Sequence, residues 1–332
     1  MCSSQPLNIC ISINSNSSSD YFHQLDSQWK RIEFNEYVRI TRYVHKIDRW
    51  RSLLGRLLLH YCFYKLTRHN STSPLYQRNS YNKPILCNNI LDSNQSFSCN
   101  ISHHLNYVVA TAIYTIHCSQ CATSTNKCCI TNGIDITAVE LQHTAYNSSN
   151  QQYINEDTLN ELFELMSSCF TSIEWSHIKA PNATLLQQLI QFYRYWCYKE
   201  SWIKSIGCGL FYPLHCIQFI PTADSKQLID SGADSDTIQR VSDTMSVELL
   251  PLSDIDKQQY KIFEDTNSMD IHSYNYQFIE YRLPMSHHCV ICIATHHQCQ
   301  HAQKDMNTEL NELTLTELIN AIPQLNDISL PT

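Results

Sequence analysis

With 332 residues, the chain is long enough to bury a sizeable core, either as one large domain or as two smaller ones. Its formal net charge of −8 at pH 7 argues against a general nucleic-acid binder, because such a protein needs a basic surface to replace counterions. Charged residues make up only 16% of the chain, so we expect much of the polar surface to consist of neutral amides and hydroxyls.

The N-terminal part of the chain predicts two strands and a long helical region. Residues 7–13 alternate apolar and polar side chains, which is typical of an edge strand, and residues 35–66 carry a helical pattern. Gly55 lies inside this helical pattern, so we expect another backbone or a ligand to approach it closely. After a turn-rich stretch over residues 69–96, residues 107–114 predict a buried strand.

The middle of the chain continues this mixture of helices and strands. Residues 117–131 form a loop rich in cysteine, serine and threonine, and residues 130–139 predict a second strand. Residues 156–166 predict a helix with one apolar face. The polar, acidic stretch over residues 222–245 is interpreted as a loop or a disordered insert.

The most informative helix places an aromatic, a carboxylate and an ammonium group on one face. Trp196, Glu200 and Lys204 follow one another at four-residue intervals. Gly207 or Gly209 can adopt the positive φ that ends a helix. Taken alone, this spacing is more typical of an exposed ion pair than of a functional site.

Five motifs in a fixed order change this interpretation. They are Lys46-Ile-Asp48 with Arg51 and Gly55, Tyr81-Asn-Lys-Pro84, Phe97-Ser-Cys-Asn-Ile-Ser-His-His104, Gly133-Ile-Asp-Ile136, and Trp196-Cys-Tyr-Lys-Glu-Ser-Trp-Ile-Lys-Ser-Ile-Gly-Cys-Gly-Leu210. Together they resemble the signature motifs of the 4′-phosphopantetheinyl transferases, over roughly residues 43–210. A single Lys-Glu-Ser would be a weak signal, whereas the ordered set is specific.

The resemblance implies a fold class and a division of the chain. The expected fold is α+β, with two similar α+β halves related by a pseudo-twofold axis, as in the long, human-type members of the family. The N-terminal half, residues 1–125, would bind coenzyme A, and the C-terminal half, residues 126–300, would carry the metal and the catalytic helix. Residues 222–245 would be an insert and residues 301–332 a C-terminal tail.

A short internal repeat also favours two halves. Ser102–Thr111 is similar to Ser286–Thr295, since each begins with Ser-His-His and continues with apolar residues. We therefore predict that each Ser-His-His opens an apolar strand. The helices near residues 50–65 and 192–206 would be counterparts in the two halves.

The resemblance further implies an activity. The chain would transfer the 4′-phosphopantetheine group from coenzyme A to a serine of acyl or peptidyl carrier protein domains in a Mg²⁺-dependent reaction, as a holo-[acyl-carrier-protein] synthase. Asp135 and Glu200 match the metal ligands of the family, and Glu200 and Lys204 match its catalytic residues. The carriers would be those of fatty-acid synthase and of an aminoadipate reductase in lysine metabolism. The alternative is a non-catalytic protein of the same fold that binds coenzyme A or a carrier.

The residues that match the coenzyme A contacts of the family are spread over all five motifs. They are Lys46, Arg51, Arg78, Lys83, Asn100, Ile101, Ser102, His103, Asp135, Glu200 and Lys204. Asn82 replaces the glycine of one motif, but asparagine tolerates the left-handed conformation that the turn requires. Thr137 stands where some relatives have a second acid, so we expect two protein carboxylates and a water at the metal. Ile47 stands where human-type relatives have an arginine, so Lys46 or Arg49 would have to make the contact of that arginine.

The 16 cysteines are interpreted as mostly reduced thiols of a cytosolic protein. The protein is expected to have no membrane partner. A chain with two fused halves is expected to act as a monomer. The chain begins without a basic, apolar leader, and its longest nearly apolar run, residues 108–116, is too short to span a bilayer.

Two cysteine clusters have spacings that resemble zinc sites. They are Cys118, Cys121, Cys128 and Cys129, and Cys289, Cys292, His296, His297, Cys299 and His301. Residues three apart on a strand point to opposite faces, which argues against Cys289 and Cys292 as joint ligands.

Overall fold

The computed structural model contains helices and strands in a mixed order. It describes residues 3–13, 19–69, 76–79, 82–87, 90–117, 130–138, 144–146, 152–209, 212–222, 237–241, 245–258, 271–284, 287–296 and 309–322. The helices are α1 (Ser19–Asp26), α2 (Phe34–Thr41), α3 (Lys46–Thr67), α4 (Glu156–Leu165), α5 (Ser172–Ile178), α6 (Leu185–Ile206) and α7 (Leu315–Ala321). The strands are β1 (Ser3–Ser12), β2 (Tyr76–Arg78), β3 (Pro84–Leu86), β4 (Gln95–His104), β5 (Tyr107–Ile116), β6 (Ile130–Ala138), β7 (Thr144–Tyr146), β8 (Gln152–Ile154), β9 (Ile217–Pro221), β10 (Gln239–Val241), β11 (Met245–Leu249), β12 (Tyr274–Leu283), β13 (His287–His296) and β14 (Leu310–Glu312).

The first sheet has the strand order β14-β1-β5-β4, and α3 packs against it. β1 pairs parallel with β14 and antiparallel with β5. The predicted strand at residues 7–13 is therefore confirmed, but its predicted edge position is wrong. A neighbour lies on each side of β1, and one of them comes from the far end of the chain.

The second sheet has the strand order β10-β12-β13-β6, and α6 packs against β6 and β13. Each sheet contains the same succession of one strand, one long helix and one hairpin. In the first sheet these are β1, α3 and β4–β5, and in the second they are β6, α6 and β12–β13. In both cases the first strand pairs antiparallel with the second strand of the hairpin. Both helices are 22 residues long.

The two sheets face each other, and a long helix covers the outer face of each. Val108 and Ala110 of β5 belong to the buried cluster around α3, whereas Val109 and Ile113 belong to the cluster between the sheets. This alternation follows from the two-residue period of a strand. Burying each large aliphatic side chain in these layers stabilises the fold by about 1.5–3 kcal/mol.

The end of the chain returns to the first half. β14 extends the first sheet, and Leu315, Leu318 and Ile322 are buried in the cluster around α3. Thr314 and Glu317 form a capping box that begins α7. The prediction of a C-terminal tail over residues 301–332 is therefore wrong for residues 310–322, which complete the core of the first half.

Most of the other predicted elements are present. The strands predicted at residues 107–114 and 130–139 are β5 and β6, and the helix predicted at residues 156–166 is α4. The helical region over residues 35–66 is two helices, α2 and α3, separated by a short turn. Among the described helices, none combines the length and the apolar character that a membrane crossing requires.

The structure corrects the predictions for residues 222–245 and for the Ser-His-His repeat. Predictions that fall on residues outside the described ones cannot be compared with it. The stretch over residues 222–245 contains the short strand β10, and residues 223–236 and 242–244 lie outside the described residues. The loop cysteines between residues 118 and 129 lie outside them as well. His103 and His104 end β4 rather than opening β5, because the turn of this hairpin follows them, whereas His288 lies at the start of β13.

Candidate active site

Helix α6 presents the predicted residues on one face. Thr184 and Gln187 form a capping box at its start, and Gly207, with a φ of 77°, ends it in the left-handed conformation. Trp196, Glu200 and Lys204 all line the same cavity, as their four-residue spacing predicted. This cavity has a volume of about 410 Å³ and is lined by Arg78, Asn82, Lys83, Pro84, Asn100, Ile101, Trp196, Glu200, Ile203, Lys204, Gly207 and Gly209.

The glycine of β6 brings α6 and the sheet into direct backbone contact. A Cβ atom on Gly133 would lie 2.1 Å from the carbonyl oxygen of Ser201 and 2.3 Å from the backbone nitrogen of Ser205. Only glycine permits this approach, and the buried, small side chains of Ser201 and Ser205 lie on the same side of α6. As a result, Asp135, two residues further along β6, lies directly beside Lys204.

Asp135 and Lys204 form the centre of the site. Lys204 Nζ lies 2.6 Å from Asp135 Oδ1 and also donates to Ser102 Oγ over 2.9 Å. Ser102 Oγ donates to the same carboxylate oxygen over 2.8 Å. Asp135 is only 6% exposed, so it is not a surface acid of the strand. Lys204 thus pairs with Asp135 of β6, and not with Glu200 on its own helix.

Glu200 lies close to this pair without bonding to it. Within the described residues, its carboxylate makes no hydrogen bond or ion pair. The charges of Lys204 and Asp135 nevertheless both act on its pKa. Burial raises the pKa of Glu200, the neighbouring Asp135 raises it further, and Lys204 opposes both effects. Burial also disfavours the ammonium of Lys204, but the two carboxylates outweigh it and raise the pKa of this group.

The turn between β2 and β3 carries a lysine into the second half of the molecule. Asn82 has a φ of 64°, so the asparagine adopts the left-handed conformation predicted for it. Lys83 Nζ donates to the carbonyl oxygen of Ser205 over 2.8 Å and to that of Asn132 over 3.3 Å. The ammonium therefore binds a carbonyl in the last turn of α6, where the helix dipole favours a cation. Burial lowers the pKa of Lys83 to about 8.

Arg78 lines the cavity beside a carboxylate that the sequence analysis did not single out. Arg78 Nε lies 2.6 Å from Glu36 Oε1, and Arg78 Nη2 lies 3.0 Å from Glu36 Oε2. Arg39 and Arg56 bind the same carboxylate. Burial would raise the pKa of Glu36, but the hydrogen bond from Arg78 and the charge of Arg56 outweigh it and lower the pKa to about 2. No motif contains Glu36, and only the folded chain brings it to Arg78.

Of the predicted contacts His103, Arg51 and Asn100, only Asn100 lines the cavity. Arg51 pairs with Asp48 at 2.8 Å and donates to the carbonyl oxygen of Leu105. Crowding by protein atoms, together with the charges of Lys204 and Arg51, lowers the pKa of His103 to about 4, although the residue is exposed at the surface. Asn100 Nδ2 donates to the carbonyl oxygen of Lys204 over 3.3 Å and so links β4 to α6.

Lys46 does not line the main cavity. Its ammonium pairs with Asp26 at 3.6 Å and lies 4.7 Å from the ring centroid of Trp50. Together with Arg49 it lines a separate cavity of about 260 Å³. Ile47 packs against the core around α3. Neither Lys46 nor Arg49 lines the main cavity in place of the arginine that Ile47 replaces.

The lysine of the Lys-Glu-Ser motif is a structural residue. Lys199 is fully buried and pairs with Glu174 at 2.9 Å. Glu174 also accepts hydrogen bonds from the backbone of Thr171 and Phe219. This pair joins α5, α6 and β9 behind the site. The motif itself was the only signal for Lys199, and nothing in the sequence pointed to Glu174.

The donor set fits a divalent cation of the magnesium type. Asp135 and Glu200 come from neighbouring elements, and their mutual repulsion contributes to the raised pKa of Glu200. Mg²⁺ prefers one or two carboxylates together with phosphate oxygens and water, which matches this pair. Thr137, on the same strand, is buried.

The zinc alternative receives no support from the residues that can be compared. Cys289 belongs to the cluster between the sheets and Cys292 to the cluster around α6, so the two thiols lie on opposite faces of β13, as predicted. The side chains of His296, His297, Cys299 and His301 lie outside the described residues.

Comparisons with known proteins agree with this geometry. The family model described as "4′-phosphopantetheinyl transferase, N-terminal" matches residues 19–115, and that of the 4′-phosphopantetheinyl transferase superfamily matches residues 133–259. The two matches follow each other in order and together span more than half of the chain.

Known transferases from animals, a protist and a bacterium are similar to the same region. The L-aminoadipate-semialdehyde dehydrogenase-phosphopantetheinyl transferase of Rattus norvegicus is 30% identical over 194 residues, which are 57% of this chain and 53% of that protein. A phosphopantetheinyl transferase of Thraustochytrium is 28% identical over 57% of each chain. The 4′-phosphopantetheinyl transferase gsp of Aneurinibacillus migulanus is 29% identical over 53% of this chain and 56% of that protein. The matches thus span about half the length of these relatives. With its motifs in order and both family models matched, the chain belongs to the 4′-phosphopantetheinyl transferase superfamily.

Proposed function

We propose that this protein transfers the 4′-phosphopantetheine group from coenzyme A to a serine of a carrier protein. The observation that carries this proposal is that Glu200 and Lys204 line one cavity and that Asp135 pairs with Lys204 beside it. The names of the relatives support the same reaction. Acyl and peptidyl carriers, including those of fatty-acid synthase and of an aminoadipate reductase, are the proposed acceptors.

The reaction requires a hydroxyl to attack a phosphorus atom. A bond forms between the serine oxygen and the β-phosphorus of coenzyme A, and the bond to the bridging pyrophosphate oxygen breaks, so that adenosine 3′,5′-bisphosphate leaves. The proton of the serine passes to Glu200, directly or through a water. Burial raises the pKa of Glu200, which makes its carboxylate a stronger base for the serine proton. Lys204 supplies a positive charge for the pyrophosphate.

Asp135 and Glu200 would hold Mg²⁺. The chemistry that the cation supplies when bound is neutralisation of the negative charge on the pyrophosphate. Ser102 and Lys204 orient Asp135 Oδ1 through the two hydrogen bonds that this oxygen accepts.

The remaining phosphates of coenzyme A would bind along the rim of the cavity. Arg78 and Lys83 line it from the β2–β3 turn, and Asn100 and Ile101 line it from β4. His103 would bind the 3′-phosphate, because a neighbouring phosphate favours the charged imidazole. Arg51 would contribute charge at the same end. Lys46 leaves the set because it lines the second cavity.

The division of the chain follows the same proposal. The two halves, residues 1–125 and 126–300, would be related by a pseudo-twofold axis. The shared order of strand, long helix and hairpin in the two sheets supports this relation. Residues 310–322 then belong to the first half. A cytosolic location and a monomeric state stay predictions.

The test is intact-mass spectrometry of an apo carrier protein incubated with this protein, coenzyme A and Mg²⁺. We expect the carrier to gain the mass of one phosphopantetheine, and we expect Glu200→Gln to lower the rate by at least about 100-fold. EDTA should abolish the gain. Glu164→Gln, at an exposed glutamate of α4, is the matched control and should retain the activity.

The result that contradicts the proposal is binding without transfer. If coenzyme A binds but no carrier gains mass, the non-catalytic alternative is correct. Calorimetric titration with coenzyme A, run on the same preparation, separates this outcome from a protein that does not bind the substrate at all.

A further inference from the structure

Glu36 of α2 lies at the centre of a buried cluster of charged side chains beside the main cavity. It is only 6% exposed, and its carboxylate is contacted by the guanidinium groups of Arg39, Arg56 and Arg78. Of these three arginines, only Arg78 lines the main cavity, and Glu36 itself does not line it. A bond from this cluster to a ligand in the cavity would therefore be made by Arg78.

The carboxylate of Glu36 holds one edge of the Arg78 guanidinium. Nε and Nη2 of Arg78 each donate to a different oxygen of Glu36, over 2.6 and 3.0 Å. Two parallel bonds of this kind fix the plane of a guanidinium as well as its position. Arg78 Nη1 donates to the backbone carbonyl of Asn82, in the turn between β2 and β3. In the part of the chain that the structure describes, these three bonds leave two of the five N–H donors of Arg78 for a ligand.

Glu36 is in turn held from the side of α3. Arg56 Nη2 lies 3.0 Å from Glu36 Oε1, and Arg56 Nε lies 3.2 Å from Glu33 Oε2. The side chain of Arg56 is only 3% exposed, so its position is set by the packing around it. Because this buried arginine bridges the two carboxylates, Glu36 is a partner for Arg78 that is already fixed in place.

The backbone that carries Arg78 is anchored to the same cluster. The amide of Tyr76, two residues earlier on β2, donates to Glu33 Oε1 over 3.0 Å. The hydroxyl of Tyr76 donates to the carbonyl oxygen of Leu59 on α3 over 2.7 Å. Both the backbone and the side chain of Arg78 are thus fixed by protein groups. A ligand that binds to this guanidinium has little to order, which lowers the entropic cost of binding.

The cluster retains positive charge although it contains two acids. Three guanidinium groups face two carboxylates, and the residues are Arg39, Arg56, Arg78, Glu33 and Glu36. At least one positive charge therefore remains, which favours an anionic ligand such as a phosphate. Burial would raise the pKa of Glu36, but the hydrogen bond from Arg78 and the charge of Arg56 lower it to about 2. The carboxylate is therefore charged at neutral pH, and Arg78 keeps an ionic partner.

We propose that Glu36 is a positioning residue that orients Arg78 for a phosphate of coenzyme A, an inference that rests on the proposed function. Glu36 holds the Nε–Nη2 edge of the guanidinium, and the remaining donors of Arg78 bind the phosphate oxygens. Because Arg78 also bonds to Asn82, the same carboxylate steadies the turn that carries Lys83 to α6. Glu36 touches no reacting atom, so it governs how tightly coenzyme A binds and not the rate of transfer.

The direction of the effect of Glu36→Gln separates positioning from simple electrostatics. The substitution removes a negative charge near a site for an anion, so electrostatics alone predicts tighter binding of coenzyme A. Positioning predicts the opposite, because a neutral amide holds the guanidinium of Arg78 less firmly than a carboxylate does. We expect the calorimetric Kd and the KM for coenzyme A to rise about tenfold, with kcat unchanged.

A double-mutant cycle tests whether Glu36 acts through Arg78. Arg78→Lys keeps the positive charge but lacks the two parallel N–H donors of a guanidinium, so it should itself weaken the binding of coenzyme A. In this background we expect Glu36→Gln to change Kd by less than about twofold, because the group that Glu36 orients is absent. A tenfold loss in both backgrounds would show that Glu36 only maintains the fold, and would overturn the proposal.

Arg39→Gln is the matched control. Arg39 binds the same carboxylate at 3.0 Å but does not line the main cavity, so this variant should leave Kd for coenzyme A unaltered. Glu36→Asp is a second variant, which keeps the negative charge in the cluster but shortens the side chain by one methylene group. It should also weaken the binding of coenzyme A, and it carries the test if Glu36→Gln does not fold. Urea unfolding of every variant shows whether the fold is retained.

The outcomes separate this inference from the proposed function. An unchanged or lower Kd for coenzyme A in folded Glu36→Gln overturns the positioning role. If the unaltered protein does not bind coenzyme A, the proposed function fails, and the role of Glu36 fails with it. If the unaltered protein binds coenzyme A but modifies no carrier, only the transfer activity is contradicted, and the double-mutant cycle still decides the role of Glu36.

Discussion

Asp135 determines the electrostatics of the site, although it makes few bonds. It pairs with Lys204, accepts from Ser102 and repels the charge of Glu200. The helical period was enough to predict that Glu200 and Lys204 share a face. It could not predict that Lys204 pairs with a strand residue 69 positions earlier in the chain, because this contact depends on how α6 packs on β6.

Removing the charge of Asp135 should therefore change the titration of Glu200. In the metal-free protein, Asp135→Asn removes a negative neighbour that raises the pKa of Glu200, while Lys204, which lowers it, remains. We expect the pKa of Glu200 to fall, so that its carboxylate stays charged to a lower pH than in the unaltered protein. Carbon-13 NMR titration of the glutamate carboxyl groups measures this shift. Asp48→Asn, which removes the partner of Arg51, is the control, and a pKa of Glu200 that rises in Asp135→Asn would contradict the assignment.

The motif that contains Lys46 does not by itself determine which groups its ammonium contacts. Its motif predicted a phosphate contact, and the N-terminus of a helix is a common anion site. The ammonium instead pairs with Asp26 and lies over the ring of Trp50. The contact with Trp50 follows the four-residue spacing of a helix, whereas the pair with Asp26 depends on how α1 packs against α3 and could not be predicted from the motif.

At the scale of elements, the contact between β6 and α6 positions the chemistry. The Gly-Ile-Asp motif places a residue without a side chain two positions before the carboxylate, so both lie on the same face of β6. That face lies against the backbone of α6 at Gly133 and beside Lys204 at Asp135. The motif was recognisable in the sequence, but the reason for its glycine appears only in the packed structure.

Gly133→Ala and Gly55→Ala should therefore differ strongly in stability. The new Cβ at residue 133 would overlap the backbone of α6, which cannot move without displacing the helix, so we expect a loss of about 3 kcal/mol. At residue 55 the nearest atom is the side-chain Cδ1 of Ile101 at 3.1 Å, and a gain of about 1 kcal/mol in helix propensity offsets the crowding.

Urea unfolding at 25 °C compares the two variants, and calorimetric titration with coenzyme A should show weaker binding only for Gly133→Ala. Equal unfolding midpoints would contradict the role given to Gly133. Among protein atoms, the close approach predicted for Gly55 is made by the side chain of Ile101 and not by another backbone.

At the scale of the whole molecule, the long helices and strands can be predicted from the sequence, whereas the short C-terminal elements cannot. Long helices and ten-residue strands carry enough periodic residues to predict α3, β5 and α6. The return of the chain to the first half depends on β14, which is only three residues long, and on α7, which has seven residues. Segments this short carry no clear period, so neither the pairing of β14 with β1 nor the packing of α7 against α3 could be predicted.

This return predicts that the C-terminal segment is required for the stability of the first half. Truncation after residue 308 removes β14, one of the two partners of β1, and three buried side chains, Leu315, Leu318 and Ile322. At about 1.5–3 kcal/mol for each side chain, the loss approaches the whole stability of a typical domain, so we expect the truncated chain to be largely unfolded. Leu318→Ala in the full chain should cost about 2–5 kcal/mol, because its side chain has no exposed surface. Truncation after residue 322 keeps β14 and α7, so comparing the urea midpoints of the two truncations isolates their contribution, and equal midpoints would show that the first half is complete without them.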